Sequence, residues 1–329
     1  MSAIIYYVTV DKTGKENICQ VTWANKENII HSFEQSTSGI APEEMEWMWK
    51  DRRNQLKTGE KLFHFLDGHD HHLQQALKEA INHSENLQIH LTTCRETANW
   101  PFEILAQKGS FLLPKHVHLV RLIPVQESIK ELPPQSRHLK LLFMACSPLD
   151  VQTELDFEQE EDGIFKAAEK LAVDMDIEDT GSLAGLREKL EQQTYDIVHL
   201  SGYAGIDKKG QPFFIMESET GYREEIPAAK LWHEGLKANP PRMLFLSGSS
   251  TGDAPGEIEN VFARILVEKY HIPAVLGWGR WISDSEANKA AEIIYKDLTR
   301  GKSLLDAIQR ARYELYNFSK AIKPSWPQL

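Results

Sequence analysis

Apolar runs and amphipathic stretches alternate along the second half of the chain. Leu139–Cys146 is almost continuously apolar, as expected of a strand buried in a parallel sheet. The same pattern predicts further strands at Ile197–Ser201, Pro212–Glu217, Leu244–Ser247 and Ala274–Gly277. Helices are predicted around them at Glu158–Val173, Leu183–Gln193, Ala228–Lys237, Glu257–Lys269, Ser285–Arg300 and Leu304–Lys320. Such alternation predicts an α/β fold with a mostly parallel sheet that is covered by helices on both faces.

The first half also mixes strands with helices, and a polar stretch follows it. Strands are predicted at Ala3–Val10, Ile18–Trp23, Leu87–Leu91 and Val117–Ile123, and helices at Pro42–Thr58 and His71–Ala80. The stretch 127–137 is polar and contains Pro133 and Pro134, which indicates a connector. The chain is therefore expected to comprise an N-terminal α/β half at 1–126, a connector at 127–138 and a second domain at 139–329.

Composition narrows the class of protein. The chain has 329 residues, of which 41% are hydrophobic and 26% charged, as in ordinary globular proteins. Its formal net charge of −11 argues against a nucleic-acid-binding face, and no apolar stretch is long enough to span a membrane. The first residues lack the basic stretch of a signal peptide, and the cysteines Cys19, Cys94 and Cys146 lie far apart. These features predict a cytoplasmic protein that binds neither nucleic acid nor membrane directly.

One candidate site lies where two predicted strands end. The strands Ile197–Ser201 and Leu244–Ser247 are each followed by Gly, and their tips carry Tyr203 and Ser249, 46 residues apart. In open α/β sheets, chemistry takes place just beyond the carboxyl ends of the strands. Caspase-type peptidases keep a catalytic His and Cys roughly 50 residues apart in that order. The spacing therefore indicates the scaffold of a Cys/His peptidase, with Tyr and Ser at the two key positions.

A series of short stretches, taken in order, resembles the CHAT family of caspase-like peptidases. The family's "PWELL" element is similar to Trp100-Pro-Phe-Glu-Ile-Leu105. Its "HFSGHG" and "LSACETG" elements are similar to Val198-His-Leu-Ser-Gly202 and Leu246-Ser-Gly-Ser-Ser-Thr-Gly252. Further family-like stretches are Phe111–Leu113, Val120–Arg121, Leu139–Pro148, Leu155–Glu160, Pro273–Gly277, Asp284 and Ala307–Arg312. The order of the pieces carries the resemblance, because each is short.

The resemblance implies both a fold and a function. The fold would be a caspase-like α/β sandwich whose sheet, in residues 139–329, carries the site, while residues 1–126 pack on it or extend it. The function would be that of a cysteine endopeptidase without a cofactor, commonly the effector part of a larger bacterial signalling or defence protein. The implied partners are a protein or peptide substrate and a regulatory or sensor domain or subunit.

The chain departs from the family at both catalytic positions. The family's His maps to Tyr203 and its nucleophilic Cys maps to Ser249. A Ser nucleophile needs a general base within reach, and Tyr, with a pKa near ~10, is a poor base at pH 7. His199 lies roughly 13 Å before Tyr203 along the strand, which favours a packed strand residue over a substitute base. The chain is therefore expected to be inactive, although backbone N–H groups of Ala204 and Ser249 could still form an oxyanion hole.

Three other features have both a functional and a structural interpretation. Gly68-His-Asp-His-His72 looks like a metal cluster, but adjacent His side chains on a helix diverge. A turn with Asp70 as helix N-cap is therefore favoured, and no metal is expected. The acidic run Glu154–Asp162 is expected to be a solvated loop and helix start, with binding of a basic peptide as the alternative. Asp284 could contact substrate, although a helix N-cap at Ser283 or Asp284 is favoured.

Several hypotheses stay open from the sequence. The chain is either a cysteine peptidase inactivated at both dyad positions or a natural pseudopeptidase that binds a partner. A nucleotide- or small-ligand-binding module at the same strand ends ranks last, because the sequence has no Gly-rich phosphate-binding motif. The segment Ile322–Leu329 looks like the start of a strand, so we expect a longer parent protein.

Overall fold

The computed structural model describes residues 3–40, 48–113, 117–125, 138–151, 161–162, 164–165, 173–250, 258–278, 282–318 and 326–329. At Lys50, 248–250, 258–260, Asp284 and Gln328 only the backbone is described. The chain divides into two compact units, Met1–Pro124 with Ile308–Pro327 and Val125–Ala307 with Gln328–Leu329. Residues 308–327, which the sequence analysis placed in the second domain, thus group with the N-terminal half.

The first unit is built on a mixed sheet. Its described strands are β1 (Ala3–Lys12), β2 (Ile18–Ala24), β3 (Ile29–Ser36), β4 (Asn86–Thr93) and β7 (Val117–Arg121), with a small hairpin of β5 (Ala106–Gln107) and β6 (Ser110–Phe111). They follow the order β3-β2-β1-β4-β7. β1 pairs in parallel with β4, and β4 with β7, while β2 is antiparallel to both β1 and β3. Alternate residues of β2 are buried, because one face of the sheet packs against helices.

Two helices of the first unit pack beside this sheet. After a 3-10 turn at Met48–Lys50, α1 spans Arg52–Asp67, and α2 spans His72–Asn82. Asp51 caps α1, since its Oδ1 accepts a hydrogen bond from the Asn54 N–H at 2.8 Å. The sequence predicted a helix at Pro42–Thr58; residues 42–47 lie outside the described residues, and the helix continues well past Thr58. Position 59 of this helix requires glycine, because a Cβ there would lie 2.0 Å from the Ile104 carbonyl oxygen.

The second unit holds the predicted parallel sheet. Its described strands are β8 (Leu139–Ala145), β9 (Val173–Glu178), β10 (Ile197–Ile206), β11 (Pro212–Glu217), β12 (Arg223–Pro227), β13 (Met243–Ser250) and β14 (Ala274–Gly277). Five of them run parallel in the order β9-β8-β10-β13-β14. The second half of β10 pairs antiparallel with β11, which in turn pairs with β12.

Helices cover both faces of the parallel sheet. One face packs apolar side chains such as Leu200 and Leu246 against Leu186 and Phe262 of two helices. On the other face, Tyr295 of a third helix reaches His199 of β10. The helices are α3 (Leu183–Gln192), α4 (Ala228–Lys230) continuing as a π-helix at Leu231–Leu236, α5 (Ile258–Tyr270) and α6 (Asp284–Leu298). The chain then continues into α7 (Leu304–Phe318), which from Ile308 onward groups with the first unit. The α/β fold class with a mostly parallel, doubly covered sheet is therefore confirmed.

Several predicted elements differ from the observed ones. Most of the predicted helix Glu158–Val173 lies outside the described residues, and its last residue instead opens strand β9. Strands β3 and β12 were missed, because both are largely exposed and polar. Of the segment Ile322–Leu329, expected to begin a strand, residues 322–325 lie outside the described residues. Trp326–Gln328 is a 3-10 turn in which Trp326 is buried against Phe111, with ring centroids 5.2 Å apart. Among the described residues, no helix is both long and apolar enough to cross a bilayer.

Candidate functional site

The two candidate dyad positions lie opposite each other on neighbouring parallel strands. Strands β10 and β13 pair from Ile197↔Met243 to Ala204↔Ser250, and Tyr203 is the register partner of Ser249. The expectation that both residues lie beyond the strand ends is wrong, since β10 continues to Ile206 and β13 to Ser250. β10 pairs with β8 only as far as Ser201 and with β11 from Tyr203 onward. Because of this second pairing, β10 stays extended past the end of β8.

Tyr203 occupies an apolar environment. Its side chain is 7% exposed and clusters with Phe213 and Ile215 of β11, and Val151 packs against the cluster. Gly205, two residues further along β10, leaves room for the Phe213 ring, because a Cβ there would lie 2.6 Å from that ring. Tyr203 is thus a packed residue of the sheet, an arrangement unlike that of a solvated catalytic base.

His199 is a buried strand residue. It is 0% exposed, its ring stacks on Phe245 with centroids 4.6 Å apart, and Nδ1 lies 2.8 Å from the Tyr295 hydroxyl. The neighbouring Ser201 and Ser247, which are register partners on β10 and β13, are also buried. This packing agrees with the interpretation of His199 as a hydrogen-bonded core histidine, positioned by α6 below the candidate dyad.

The other proposed site residues are placed as follows. Ala204 is buried and has a register partner on each side, Phe214 on β11 and Ser250 on β13. Asp284 is the first residue of α6, and Ser283 occupies the N-cap position, where its hydroxyl lies 2.8 Å from Glu286 Oε2. The oxyanion-hole role of Ala204 and Ser249 and the substrate role of Asp284 stay predictions.

Sequence reasoning missed a polar cluster at the end of β8. Cys146 is fully buried there, and burial, reinforced by the Glu217 and Glu178 carboxylates, raises the pKa of its thiol well above the ordinary value. Glu217 Oε1 accepts a hydrogen bond from the Ser147 N–H at 2.9 Å, and Glu178 Oε1 accepts one from the Thr180 hydroxyl at 2.6 Å. A protonated, buried thiol is a poor nucleophile, so Cys146 does not replace the missing cysteine.

The family-like motifs of the first unit meet in an ion pair between the buried Glu103 and the half-buried Arg121. Arg121 forms a bidentate pair with Glu103, with Nε to Oε1 and Nη2 to Oε2 both at 2.8 Å. Its guanidinium also donates to the carbonyls of Ala98 and Trp100. Burial lowers the pKa of the nearby Arg312 to about 10, against the opposing attraction of Glu103. Only the pieces of this arrangement were visible in the sequence, as "Pro-Phe-Glu-Ile-Leu" and "Val-Arg".

The histidine-rich turn is arranged differently from the prediction. α2 begins at His72, and Asp70 does not cap it; instead the buried Asp67 accepts hydrogen bonds from the Gln74 N–H at 2.8 Å and from His71 Nδ1 at 2.9 Å. Asp67 performs the capping because His71 adopts a left-handed conformation that folds the turn back over it. No group of three or more metal-type ligands is found in the part of the chain that the structure describes. Residues 154–160 of the acidic run lie outside the described residues.

Fold and motif geometry define the class: an α/β protein with a caspase-like parallel sheet and a two-strand site. The profile of the CHAT domain matches residues 57–326, which is most of the chain. The chain therefore belongs to the CHAT domain family. No match was found among curated proteins.

Proposed function

We propose that this chain is the peptidase-type domain of a larger bacterial signalling or defence protein, in a form that lacks the Cys/His dyad and does not cleave. The observation that supports the proposal is the in-register placement of Tyr203 and Ser249 on β10 and β13. Those are the positions of His and Cys in the family's motifs. Tyr is a poor base at neutral pH, and a Ser without a base is not activated.

In this proposal the domain engages a protein or peptide segment at the strand ends of its parallel sheet. A regulatory or sensor domain, or a separate subunit, controls the access of that segment to the site. The protein works in the cytoplasm. Binding of an extended segment needs mainly backbone groups and shaped apolar surface, neither of which depends on the dyad. No cofactor is needed for either binding or cleavage by a domain of this class.

A natural pseudopeptidase is the second candidate, and one observation favours it over an inactivated peptidase. The Tyr203 side chain is integrated into the cluster with Phe213, Ile215 and Val151. A replacement made only to abolish catalysis has no reason to complete an apolar cluster, since a smaller residue would serve equally well. A residue that packs this closely is expected where the position has become part of the core.

The test compares four chains: the protein as it stands, Tyr203→His, Ser249→Cys and the double variant. Each is incubated with peptide libraries and with a peptide-based alkylating probe, and labelled residues are located by mass spectrometry. The proposal expects no cleavage by the unchanged chain and probe labelling at position 249 only in the double variant. Peptide cleavage by the unchanged chain that is lost in Ser249→Ala would overturn it and indicate a serine mechanism.

The same chains separate the two candidates. Restored labelling in the double variant favours a peptidase inactivated only at the dyad. A double variant that folds, as judged by circular dichroism, yet is not labelled favours the pseudopeptidase. Binding of the unchanged chain to immobilised library peptides, without turnover, is the positive result that the pseudopeptidase requires.

A further inference from the structure

Two stacked imidazole rings connect the outermost strand of the first unit to helix α2. The rings of His31 on β3 and His72 at the start of α2 lie 3.5 Å apart between centroids, with an interplanar angle of 20°. Phe33, on the same face of β3, lies 5.5 Å from the His72 ring. Phe33 also packs on Gly68, where a Cβ would lie 2.7 Å from its ring. These contacts fasten β3 to the α1–α2 turn.

The surroundings of His72 disfavour its protonated form. Its side chain is 6% exposed, and the ionisable groups whose charges act on it are His31, Asp70 and Asp67. Asp70 is mostly exposed and its Oδ2 stands 3.9 Å from His72 Nε2, while Asp67 already binds His71 and the Gln74 N–H. Burial, followed by repulsion from His31, therefore lowers the pKa of His72 below its ordinary value.

Besides the ring contacts, β3 is attached mainly within its own hairpin, where Lys15 pairs with Glu34 and Ser32 bonds Gln20 and Thr22. One long hydrogen bond, from Gln35 Nε2 to the His64 carbonyl at 3.4 Å, reaches α1. In the described sheet it is the edge strand and pairs only with β2. Ile29 is 70% exposed and Ile30 is 39% exposed, so the strand buries little apolar surface of its own. Edge segments with few buried contacts are the ones that open locally without global unfolding.

We propose that the stacked His31–His72 pair is an acid-sensitive latch that holds the β3 edge strand against helix α2. Neutral rings stack, whereas two imidazolium rings in contact repel each other, and at His72 burial and this repulsion outweigh the attraction of Asp70 and Asp67. A histidine whose pKa is lowered by folding contributes its full stability above the ordinary pKa of about 6.5 and loses it as the pH falls below that value. Acid therefore loosens β3, and its separation from β2 exposes the edge of β2, a form that pairs readily with another strand.

Hydrogen exchange of the full chain, followed by mass spectrometry at about pH 7.5 and about pH 5 and corrected for intrinsic rates, tests the latch. The expected result is a roughly tenfold loss of protection at pH 5, confined to peptides from β3 and from the α1–α2 turn. His72→Phe retains a ring that can stack but cannot be protonated, so its β3 peptides should lose the pH dependence. His83→Phe, at the exposed far end of α2, is the matched control and should behave like the unchanged chain.

Two results would overturn the latch. One is equal protection of the β3 peptides at both pH values in the unchanged chain, and the other is undiminished acid release in His72→Phe. If His72→Phe does not fold, His31→Phe removes the repulsion between the two rings at an exposed position but leaves His72 buried, so it should weaken the release, and undiminished release in His31→Phe would overturn the latch. A proton titration of His72 by NMR in the unchanged chain must also give a pKa below about 6.5, because a value above it would reverse the sign of the effect.

Discussion

Glu103 shows how one carboxylate can organise a buried charged cluster. Its side chain is 10% exposed, and it faces the Arg121 guanidinium through two hydrogen bonds, with Arg312 nearby. Burial by itself would raise the pKa of the Glu103 carboxyl, but the attraction of Arg121 outweighs burial and the pKa is lowered. The carboxylate thus stays ionised inside the unit, where its charge attracts both Arg121 and Arg312.

Glu103→Gln should destabilise the chain strongly. Gln keeps the shape but removes the charge that the half-buried Arg121 binds through two hydrogen bonds and that attracts Arg312, at a cost of about 3 kcal/mol. Urea unfolding at pH 7 measures this loss. Because the pKa of Glu103 is lowered in the folded state, its contribution is present above the ordinary pKa of about 4.3 and is lost as the pH falls below it. The difference between the two chains should therefore narrow in acid.

Glu96→Gln is the matched control for this prediction. Glu96 also forms a close ion pair, with Lys12 Nζ at 2.6 Å, but the two side chains are 45% and 68% exposed. Solvent screens such pairs, so the unfolding midpoint should hardly change. Equal effects of the two substitutions would contradict the assignment of Glu103 as a buried organising charge.

The three cysteines should differ sharply in reactivity. Burial, together with Cys94, raises the pKa of the Cys19 thiol to about 12. Burial, reinforced by Glu217 and Glu178, raises the pKa of the Cys146 thiol well above its ordinary value. Only the thiolate reacts with thiol reagents, and Cys94 is the one partly exposed cysteine of the three. An aromatic disulfide reagent at neutral pH should therefore modify Cys94 rapidly in the native chain and all three after denaturation. Rapid native modification that persists in Cys94→Ser would refute this.

At the scale of elements, Gly59 shows why α1 extends beyond the end predicted from the sequence. Gly is a poor helix former, so the sequence favoured an end at Thr58, yet α1 continues to Asp67. The packing of α1 against Ile104 requires a position without a Cβ, and tertiary contact therefore outweighs helix propensity. Nothing in the local sequence announces such a contact, because its partner lies 45 residues further along the chain.

Gly59→Ala separates these two effects. In an ordinary helix this change would stabilise by about 1 kcal/mol, but here the new Cβ would lie 2.0 Å from the Ile104 carbonyl oxygen. We expect a loss of about 2 kcal/mol or more, since the helix must move or the strand connection must distort. Gly14→Ala, where no atom lies within 4 Å of the new Cβ, is the control and should be nearly neutral. Thermal melts of both variants decide the matter, and a stabilised Gly59→Ala would show that the contact yields easily.

Strands could be predicted where they are buried and were missed where they are not. The apolar runs of β8, β10, β13 and β14 stand out because both faces of a parallel sheet are covered. β3 and β12 are exposed, so their polar sequences carry no such signal. The extension of β10 to Ile206 depends on pairing with β11, a contact between segments that no local periodicity reveals.

At the scale of the whole molecule, the order of motifs predicted the family and the fold class. The observed register partners Tyr203 and Ser249 agree with the expectation that the two residues face each other on neighbouring parallel strands. The sequence could not show that Ile308–Pro327 groups with the N-terminal half, since that grouping arises from long-range contacts alone. Gln309, for example, donates to the Leu113 carbonyl, and Arg312 Nη1 donates to the Leu119 carbonyl at 3.0 Å. The first unit is therefore built from two stretches that lie far apart in the sequence.

The division into two units makes a prediction about how stability adds up. Tyr295→Phe removes the hydrogen bond to the buried His199 in the second unit and should cost about 1–2 kcal/mol. Glu103→Gln acts in the first unit, and the two sites share none of the hydrogen-bond partners described above. Effects at such separate sites add to within about 0.5 kcal/mol, so the double variant should lose the sum of the two single losses. Urea unfolding of all four chains forms the cycle, with Tyr313→Phe, an exposed tyrosine on α7, as the control for Tyr295. A coupling well above 1 kcal/mol would mean that the two sites share an interaction network and would contradict this prediction.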